Sequence, residues 1–352
     1  MTDSGSGSLA VVVPVYNEEA VIRQFHQRLS ATLDGIEHLH AAVIYVNDGS
    51  ADHTLAVLLA LRQQDPRIAI VNLSRNFGKE IALSAGLDFA DADAVIVIDA
   101  DLQDPPELIP EFVRLWQAGN DVVYGQRVSR RGETRLKKAT AYLFYRVIQS
   151  LSRVHIPEDT GDFRLLSRRA VQALRSLREQ HRYMKGLFSW IGYSQVALRY
   201  ERAPRSAGTS KFNYPRLWAF ALEGITSFSI TPLKIATYVG LLIAGLSFMG
   251  AAFVFYKALV YGDPVRGYPS LMVTNLFLSG VQLIGIGVLG EYLGRMFNES
   301  KNRPLYFVER HIPAGMADDA RTLARLVPDA ASAIGIDRDV QRQKSVRIAG
   351  GT

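Results

Sequence analysis

Residues 95–107 read VIVIDADLQDPPE, a β-branched apolar run that delivers Asp99 and Asp101 one residue apart and then stops. Val95 to Ile98 has the composition of a buried strand, so both aspartates fall just past its carboxyl end, where the chain leaves a sheet. Asp104-Pro105-Pro106-Glu107 then closes the loop and opens a helix, because proline is tolerated in a first helical turn and an acid complements the dipole there. Two hard carboxylate donors, with the amide oxygen of Gln103 beside them, suit a divalent cation such as Mg²⁺ or Mn²⁺. Solvated aspartates are common at strand ends, so a lone Asp-x-Asp decides little. Its neighbours decide more.

Short β-rich runs alternate with helical patterns through the first half of the chain. Leu9–Val15, Ala41–Val46, Ile68–Asn72, Ala94–Ile98 and Asp121–Gly125 read as strands. Between them, Val21, Ile22, Phe25, Leu29 and Leu33 recur at helical spacing behind Glu18 and Glu19. Further helices are expected from about Asp52, over Lys79–Phe89 and over Pro106–Ala118. The alternation predicts an α/β fold with a mostly parallel, helix-covered sheet, in which ligands gather outside the carboxyl ends of the strands. Two more polar loops leave strands at that end, PVYNEE and VNDGSADHT. In the second, Asp48 suits a hydrogen bond from a ribose or base and Gly49 a tight turn, although NDGS alone is a common turn.

The second half changes character. Ile235–Tyr256 runs for 22 residues without a charge and Leu271–Gly290 for 20. Each is long enough to cross a hydrocarbon core of about 30 Å at about 1.5 Å per residue, and a buried hairpin in a soluble core is the other reading. A two-helix transmembrane hairpin is expected over 234–294, with Asn275 and Gln282 facing protein rather than lipid. No basic region precedes the first apolar run, so no secretory leader is expected. Residues 1–212 are then a cytoplasmic domain, and two spans return 295–352 to the same side of an inner membrane. Both termini are cytoplasmic in this scheme. Charge placement agrees modestly: Lys211, Arg216 and Lys234 precede the first span and Arg295, Lys301, Arg303 and Arg310 follow the second, against Lys257 and Arg266 between them.

Residues 213–233, rich in aromatic and aliphatic positions from Asn213 to Ile230, read as an amphipathic helix in the headgroup plane. Arg127 to Arg153 is basic and then amphipathic, either a membrane-surface helix or an ordinary solvated face. Beyond Ile312 a loosely ordered tail is expected. Zero cysteines exclude disulfides, thiolate metal sites and a cysteine nucleophile, and the seven histidines form no zinc-binding pair. The net charge of +6 fits an anionic partner, whether membrane lipid or phosphorylated substrate. No nucleic-acid partner is expected. Glycines at 240, 245, 250, 280, 285, 287, 290 and 294 allow close helix packing within or between chains, which leaves a homo-oligomer open.

PVYNEE, NDGSADHT, LSRNFGKEIALSAGLDFA, DADLQDPPE, TGDFRLLSRRA and RSAGTSKF occur in that order and are followed by the two apolar runs, over roughly residues 9–310. The series resembles the polyisoprenyl-phosphate glycosyltransferases of the dolichol-phosphate-mannose synthase and bactoprenol glucosyltransferase type, inverting enzymes of family 2. The resemblance implies a nucleotide-sugar transferase domain of GT-A, Rossmann-like form that uses Mg²⁺ or Mn²⁺. It implies transfer of one sugar from a UDP- or GDP-linked donor to a polyprenyl phosphate such as undecaprenyl phosphate, at the cytoplasmic leaflet. On the matching positions, Pro14, Tyr16 and Glu18 hold the base, Asp48 the base or ribose, and Asp99, Asp101 and Gln103 the metal and diphosphate.

Arg75 and Lys79 add positive charge near the diphosphate, unless Lys79 merely opens a helix. Arg127, and Arg205 with Ser210 and Lys211 in RSAGTSK, match positions that handle phosphate; simple attraction to anionic lipid is the alternative for Arg127 and Lys211. GTSK is not a nucleotide P-loop, since no GxxxxGK[ST] is present. Asp101 and Asp162 are the catalytic candidates. Asp162, with Arg164, is placed near the anomeric carbon, to steady developing positive charge or accept a proton from a monoanionic lipid phosphate. A structural pairing with an arginine competes with that role, and Asp159 competes for the assignment.

Two rivals are a processive polysaccharide synthase and a non-catalytic membrane scaffold that retains the fold. The first would carry a QxxRW segment and more spans, whereas the nearest string is Gln180-His181-Arg182-Tyr183. The second would show eroded acids, yet Asp99, Asp101 and Gln103 are all present.

Overall fold

Five strands alternate with four helices from the amino terminus of the computed structural model, which describes residues 7–128, 160–180, 182–201, 231–261 and 267–315. They are β1 (Gly7–Val15), α1 (Ile22–Asp34), β2 (Leu39–Asn47), α2 (Thr54–Gln64), β3 (Ile68–Leu73), α3 (Lys79–Phe89), β4 (Ala94–Val97), α4 (Ile109–Gln117) and β5 (Val122–Arg127). A 3₁₀ turn at Pro106–Leu108 leads into α4, where the Asp-Pro-Pro-Glu sequence placed a helix start. The chain continues through β6 (Thr160–Ser167), α5 (Arg168–Ser176), α6 (Met184–Trp190) and β7 (Gln195–Tyr200). Two long helices follow, α7 (Thr231–Tyr261) and α8 (Tyr268–Ser300), and then β8 (Val308–Ile312).

The strands form one sheet in the order β7-β5-β6-β4-β1-β2-β3-β8. The pairs β1–β2, β1–β4, β2–β3 and β5–β7 are parallel, so the sheet is mostly parallel as the alternation predicts. β6 runs antiparallel between β4 and β5, and β8 antiparallel beside β3. Alternate residues of β1 enter opposite cores, which is why the strand is apolar throughout. Val11 and Val13 pack with Phe25, Tyr45, Phe112 and Phe163 on one face. Ala10 and Val12 pack with Leu83, Val97, Leu187 and Phe188 on the other.

The helix α3 lies unusually close to the sheet. A Cβ on Gly86 would stand 2.2 Å from Cγ1 of Val12 and 3.0 Å from Cγ2 of Val46, so only glycine lets the helix sit at that depth. That depth sets where Lys79, at the start of α3, reaches the strand ends.

The helices α7 and α8 occupy the two apolar runs and pack on one another. Tyr238, Leu241, Leu246 and Phe253 on α7, and Leu271, Phe277, Leu283 and Ile286 on α8, are all exposed. Among the described residues one stretch, Phe277–Ser300, is long and apolar enough by length and composition to cross a membrane. A Cβ on any glycine of these helices would meet nothing within 4 Å among the described residues. After α8 the chain returns to the sheet. Glu299 accepts a hydrogen bond from the Gln180 amide at 2.7 Å, Tyr306 donates to Asp88 at 2.8 Å, and β8 pairs along β3.

Residues 129–153 of the basic amphipathic stretch, residues 213–230 of the expected interfacial helix, and Asp159, Arg205, Ser210 and Lys211 lie outside the described residues, while 231–233 open α7.

Gly86→Ala is expected to destabilise the fold by about 1–3 kcal/mol, as an overpacked core does. Thermal unfolding of the detergent-solubilised protein measures it. Gly35→Ala, whose Cβ would meet Thr32 O at an ordinary 3.5 Å, serves as the mild comparison.

Candidate active site

The loops that leave β1 and β2 are stitched together by their own polar side chains. The Asn17 amide donates to Ser50 Oγ at 3.0 Å, and Asn17 Oδ1 accepts from the Ala51 amide at 2.8 Å. The Glu18 amide donates to Thr54 Oγ1 at 2.9 Å, and Ser50 Oγ donates to Asn47 Oδ1 at 2.5 Å. Asn17 holds a φ of 55°, a left-handed conformation that asparagine tolerates. Tyr16 stands 39% exposed at the rim of this loop pair, with Pro14 one position inside the strand and Glu18 partly buried beyond it.

Asp48 is buried, and both of its oxygens are engaged: the Phe77 amide donates to Oδ1 at 2.7 Å and the Gly78 amide to Oδ2 at 2.9 Å. Burial pushes its carboxyl up, with the two amides opposing. Asp48 therefore fixes the turn that launches α3 before it contacts anything else. Gly49 (φ 62°) lets the two loops touch, since a Cβ there would fall 2.4 Å from the Arg75 carbonyl carbon. Arg75 stacks over Phe77, 4.1 Å from the ring centroid, and stays exposed at the loop surface.

Lys79 is the hub. Its ammonium donates to Asp99 Oδ2 at 2.7 Å and to Asp162 Oδ2 at 2.5 Å. The antiparallel β4–β6 register pairs Ala94 with Ser167 through Val97 with Arg164, and two residues further along it sets Asp99 opposite Asp162. Two carboxylates on neighbouring strands thus need a cation between them. Burial acts to lower the lysine pKa, but Asp99 and Asp162 outweigh it and hold the ammonium above its ordinary range. Burial likewise acts to raise Asp162, yet Lys79 and Lys185 outweigh it and hold that carboxyl well below the carboxylate range. For Asp99 burial prevails over Lys79 and the carboxyl moves up.

The acidic loop itself is tightly folded. Asp101 Oδ1 accepts from the Gln103 amide at 3.1 Å, and Leu102 between them is buried with a φ of 61°. Gln103 and Asp104 are buried too. Asp104 accepts from the Tyr200 hydroxyl and pairs with the Arg127 guanidinium at 3.5 Å. Arg164 donates to the Gly161 carbonyl at 3.0 Å and lies 3.8 Å over the Phe188 ring. Burial lowers its pKa to about 10.

The structure thus brings Lys79, Asp99 and Asp162 into contact, with Arg164 beside them and Arg127 at Gly161, while Asp48 supports from beneath. It adds four residues the motifs did not single out as functional: Glu80, Asp104, Lys185 and Tyr200. Glu80 accepts from the Met184 amide at 3.3 Å, and burial, with Asp162, raises its carboxyl to about 7. Asp104 stood in the quoted loop as a helix opener. The others carried no sequence signal beyond helical or strand periodicity.

Among the described residues no group of three or more acid or histidine side chains is disposed to hold an ion unaided. Asp99 and Asp101 offer hard oxygens from one loop, which suits a divalent ion that shares its remaining positions with water and phosphate.

Residues 10–175 match glycosyl transferase family 2, and residues 231–296 match the GtrB C-terminal hairpin. A glycosyltransferase of Synechocystis is 53% identical over 300 residues, covering 85% of this chain and 94% of that relative. The SfII prophage-derived bactoprenol glucosyl transferase of Shigella flexneri is 49% identical over 302 residues, 86% of this chain and 97% of that one. A prophage bactoprenol glucosyl transferase homolog of Escherichia coli K12 is 46% identical over 302 residues, 86% and 98% of the two chains. The chain is a glycosyltransferase. The chain belongs to glycosyl transferase family 2.

The raised carboxyl of Glu80 gives a pH test of the cluster. An unperturbed glutamate titrates at 4.5 and Glu80 at about 7, so the folded state binds the extra proton between those values and loses stability as pH rises through them. Glu80→Gln removes that loss. Its melting temperature relative to the native chain should climb between about pH 5 and about pH 8; a constant difference would show that Glu80 is already ionised at low pH.

Proposed function

We propose that this enzyme moves one sugar from a UDP- or GDP-linked donor to the phosphate of a polyprenyl phosphate, with inversion, at the cytoplasmic face of a membrane. One observation carries this reading: Lys79 seated between Asp99 and Asp162 at the strand ends, which sets a charged, half-open reaction site beside the acidic loop. The bactoprenol glucosyl transferases among its relatives support the choice of acceptor. The exposed apolar faces of α7 and α8 support a membrane hairpin that keeps residues 1–212 and 295–352 on one side.

On this reading Tyr16, Pro14 and Glu18 receive the base, and the loop fixed by Asp48 brings Lys79 and Arg75 toward the diphosphate. Asp99 and Asp101, with Gln103 beside them, would hold Mg²⁺ or Mn²⁺, which when bound supplies positive charge to the departing nucleoside diphosphate. Arg127, Arg205, Ser210 and Lys211 are the acceptor-side candidates. As the carbon–oxygen bond to the diphosphate breaks, a lipid phosphate oxygen bonds the anomeric carbon from the opposite face, which inverts it. Lys79 and Lys185 hold the Asp162 carboxyl low and so favour its ionised form, which supports an electrostatic role: a fixed negative charge beside the developing positive charge of the sugar. The nucleophile needs little help, since a phosphate monoester has its second pKa at about 6 and is already largely dianionic at neutral pH.

Detergent-solubilised protein, supplied with polyprenyl phosphate, Mg²⁺ or Mn²⁺ and a panel of labelled UDP- and GDP-sugars, should yield a lipid-linked monosaccharide from one donor and none in excess chelator. No product from any donor would end this reading. Asp101→Ala should lower kcat by about 10²–10³ at unchanged melting temperature, the scale at which one transition-state electrostatic contact acts. Near-native turnover would remove Asp101 from the metal site.

A further inference from the structure

Among the described residues four cations surround the acids at the strand ends, and three are committed. Lys79 bridges Asp99 and Asp162, Arg127 pairs with Asp104, and Arg164 is held by the Gly161 carbonyl and the Phe188 ring. The fourth is Lys185, in the first turn of α6. Its backbone is fixed against the turn that carries Lys79: the Met184 amide donates to Glu80, and Ser84 Oγ on α3 lies 3.8 Å from Met184 Sδ. The side chain is partly buried, yet among the described residues its ammonium makes no hydrogen bond and no ion pair.

Two further polar atoms in this region are orphaned. Asp162 Oδ1 and Arg164 Nε are buried without a hydrogen-bond partner. Native interiors rarely leave such atoms unpaired, so each calls for an explanation, and for the Arg164 Nε–H a substrate oxygen is one. Burial lowers the Lys185 pKa, with Asp162 and Glu80 opposing it.

The position relative to Asp162 indicates which substrate. Asp162 follows Gly161, against which the Arg127 guanidinium packs, and Asp162 and Arg127, the latter an acceptor-side candidate, are both among the charges that act on Lys185. An inverting displacement needs its nucleophile on the side of the anomeric carbon away from the leaving diphosphate. We propose that Lys185 is a substrate-binding residue whose ammonium contacts a phosphate oxygen of the lipid acceptor. This rests on the acceptor being a polyprenyl phosphate, as inferred above. A compact ammonium is well suited to a phosphate that must first bind and then shed one oxygen's charge to a new bond.

Farnesyl phosphate, UDP and GDP are titrated separately against the full-length protein in detergent, with farnesol as the uncharged control. Lys185→Met, which keeps the bulk of the stem, should weaken farnesyl phosphate binding about tenfold or more, with nucleotide and farnesol affinities unchanged. Lys185→Arg should restore most of the loss, and steady-state kinetics should show the rise in KM for the lipid phosphate alone. Unchanged farnesyl phosphate affinity in a Lys185→Met protein of native melting temperature overturns the proposal, as does a loss shared equally by the nucleotide. Native protein that binds nucleotide but not farnesyl phosphate overturns the choice of acceptor, and Lys185 with it; native protein that binds both leaves the acceptor standing whatever the variant does.

Discussion

The ammonium of Lys79 between Asp99 and Asp162 is the contact on which the rest of the site depends. The antiparallel pairing of β4 and β6 sets two carboxylates face to face at a buried strand end, where like charges are costly unless a cation stands between them. Everything beneath the lysine serves to put it there. Asp48 accepts the two amides of the turn ahead of α3, Gly49 lets that turn approach, and Gly86 sets the depth of the helix on the sheet. The result is an acidic site already balanced before any substrate arrives. In the proposed reaction, such preorganisation would avoid reorganising charge as the bond breaks.

A second line of polar contacts runs in from the far edge of the sheet. Asn72 donates to Glu309 on β8 at 2.7 Å, Asn47 donates to Asn72 at 2.7 Å, and Ser50 donates to Asn47 and accepts from Asn17. The strand that follows the apolar hairpin is thereby linked, side chain to side chain, with the loop that carries Tyr16. It also covers the edge of β3, whose open backbone groups would otherwise be a template for association. The return of the chain after α8 thus completes the sheet and braces the loop pair proposed to receive the nucleotide.

How much of this was legible in the sequence follows from how local each signal is. β1 to β5 and the helices between them are written in periodicity over short windows, and they appear at the expected positions within a few residues. Strand β6 was not read as one, because TGDFRLLS buries an aspartate and an arginine inside an otherwise apolar run, and its insertion between β4 and β5 is a long-range choice. β8 is five residues, VERHI, with polar alternation typical of an edge, and it lies beyond a segment that reads as membrane. Lys79, Asp99 and Asp162 were each picked out by motif, but their mutual contact depends on that unread antiparallel pairing. Glu80 and Lys185 were hidden for a simpler reason: each sits in a helical pattern, where a charged residue ordinarily means a solvated face.

Leu102 shows how stability and site geometry meet in the loop that decides the fold. Its φ of 61° is a conformation glycine would adopt freely, and for a leucine it costs about 1–2 kcal/mol. The side chain, however, is 1% exposed and belongs to the core that contains Ile98, Ile109 and Phe112. Burying a leucine contributes about 1.5–3 kcal/mol, which equals or exceeds the backbone strain. Glycine would relieve the backbone and lose the anchor. With leucine, the strain is retained because the side chain is pinned, and Asp101 and Gln103 on either side of it inherit a fixed position. The apolar core thus dictates, through one strained residue, where the acids of the site stand.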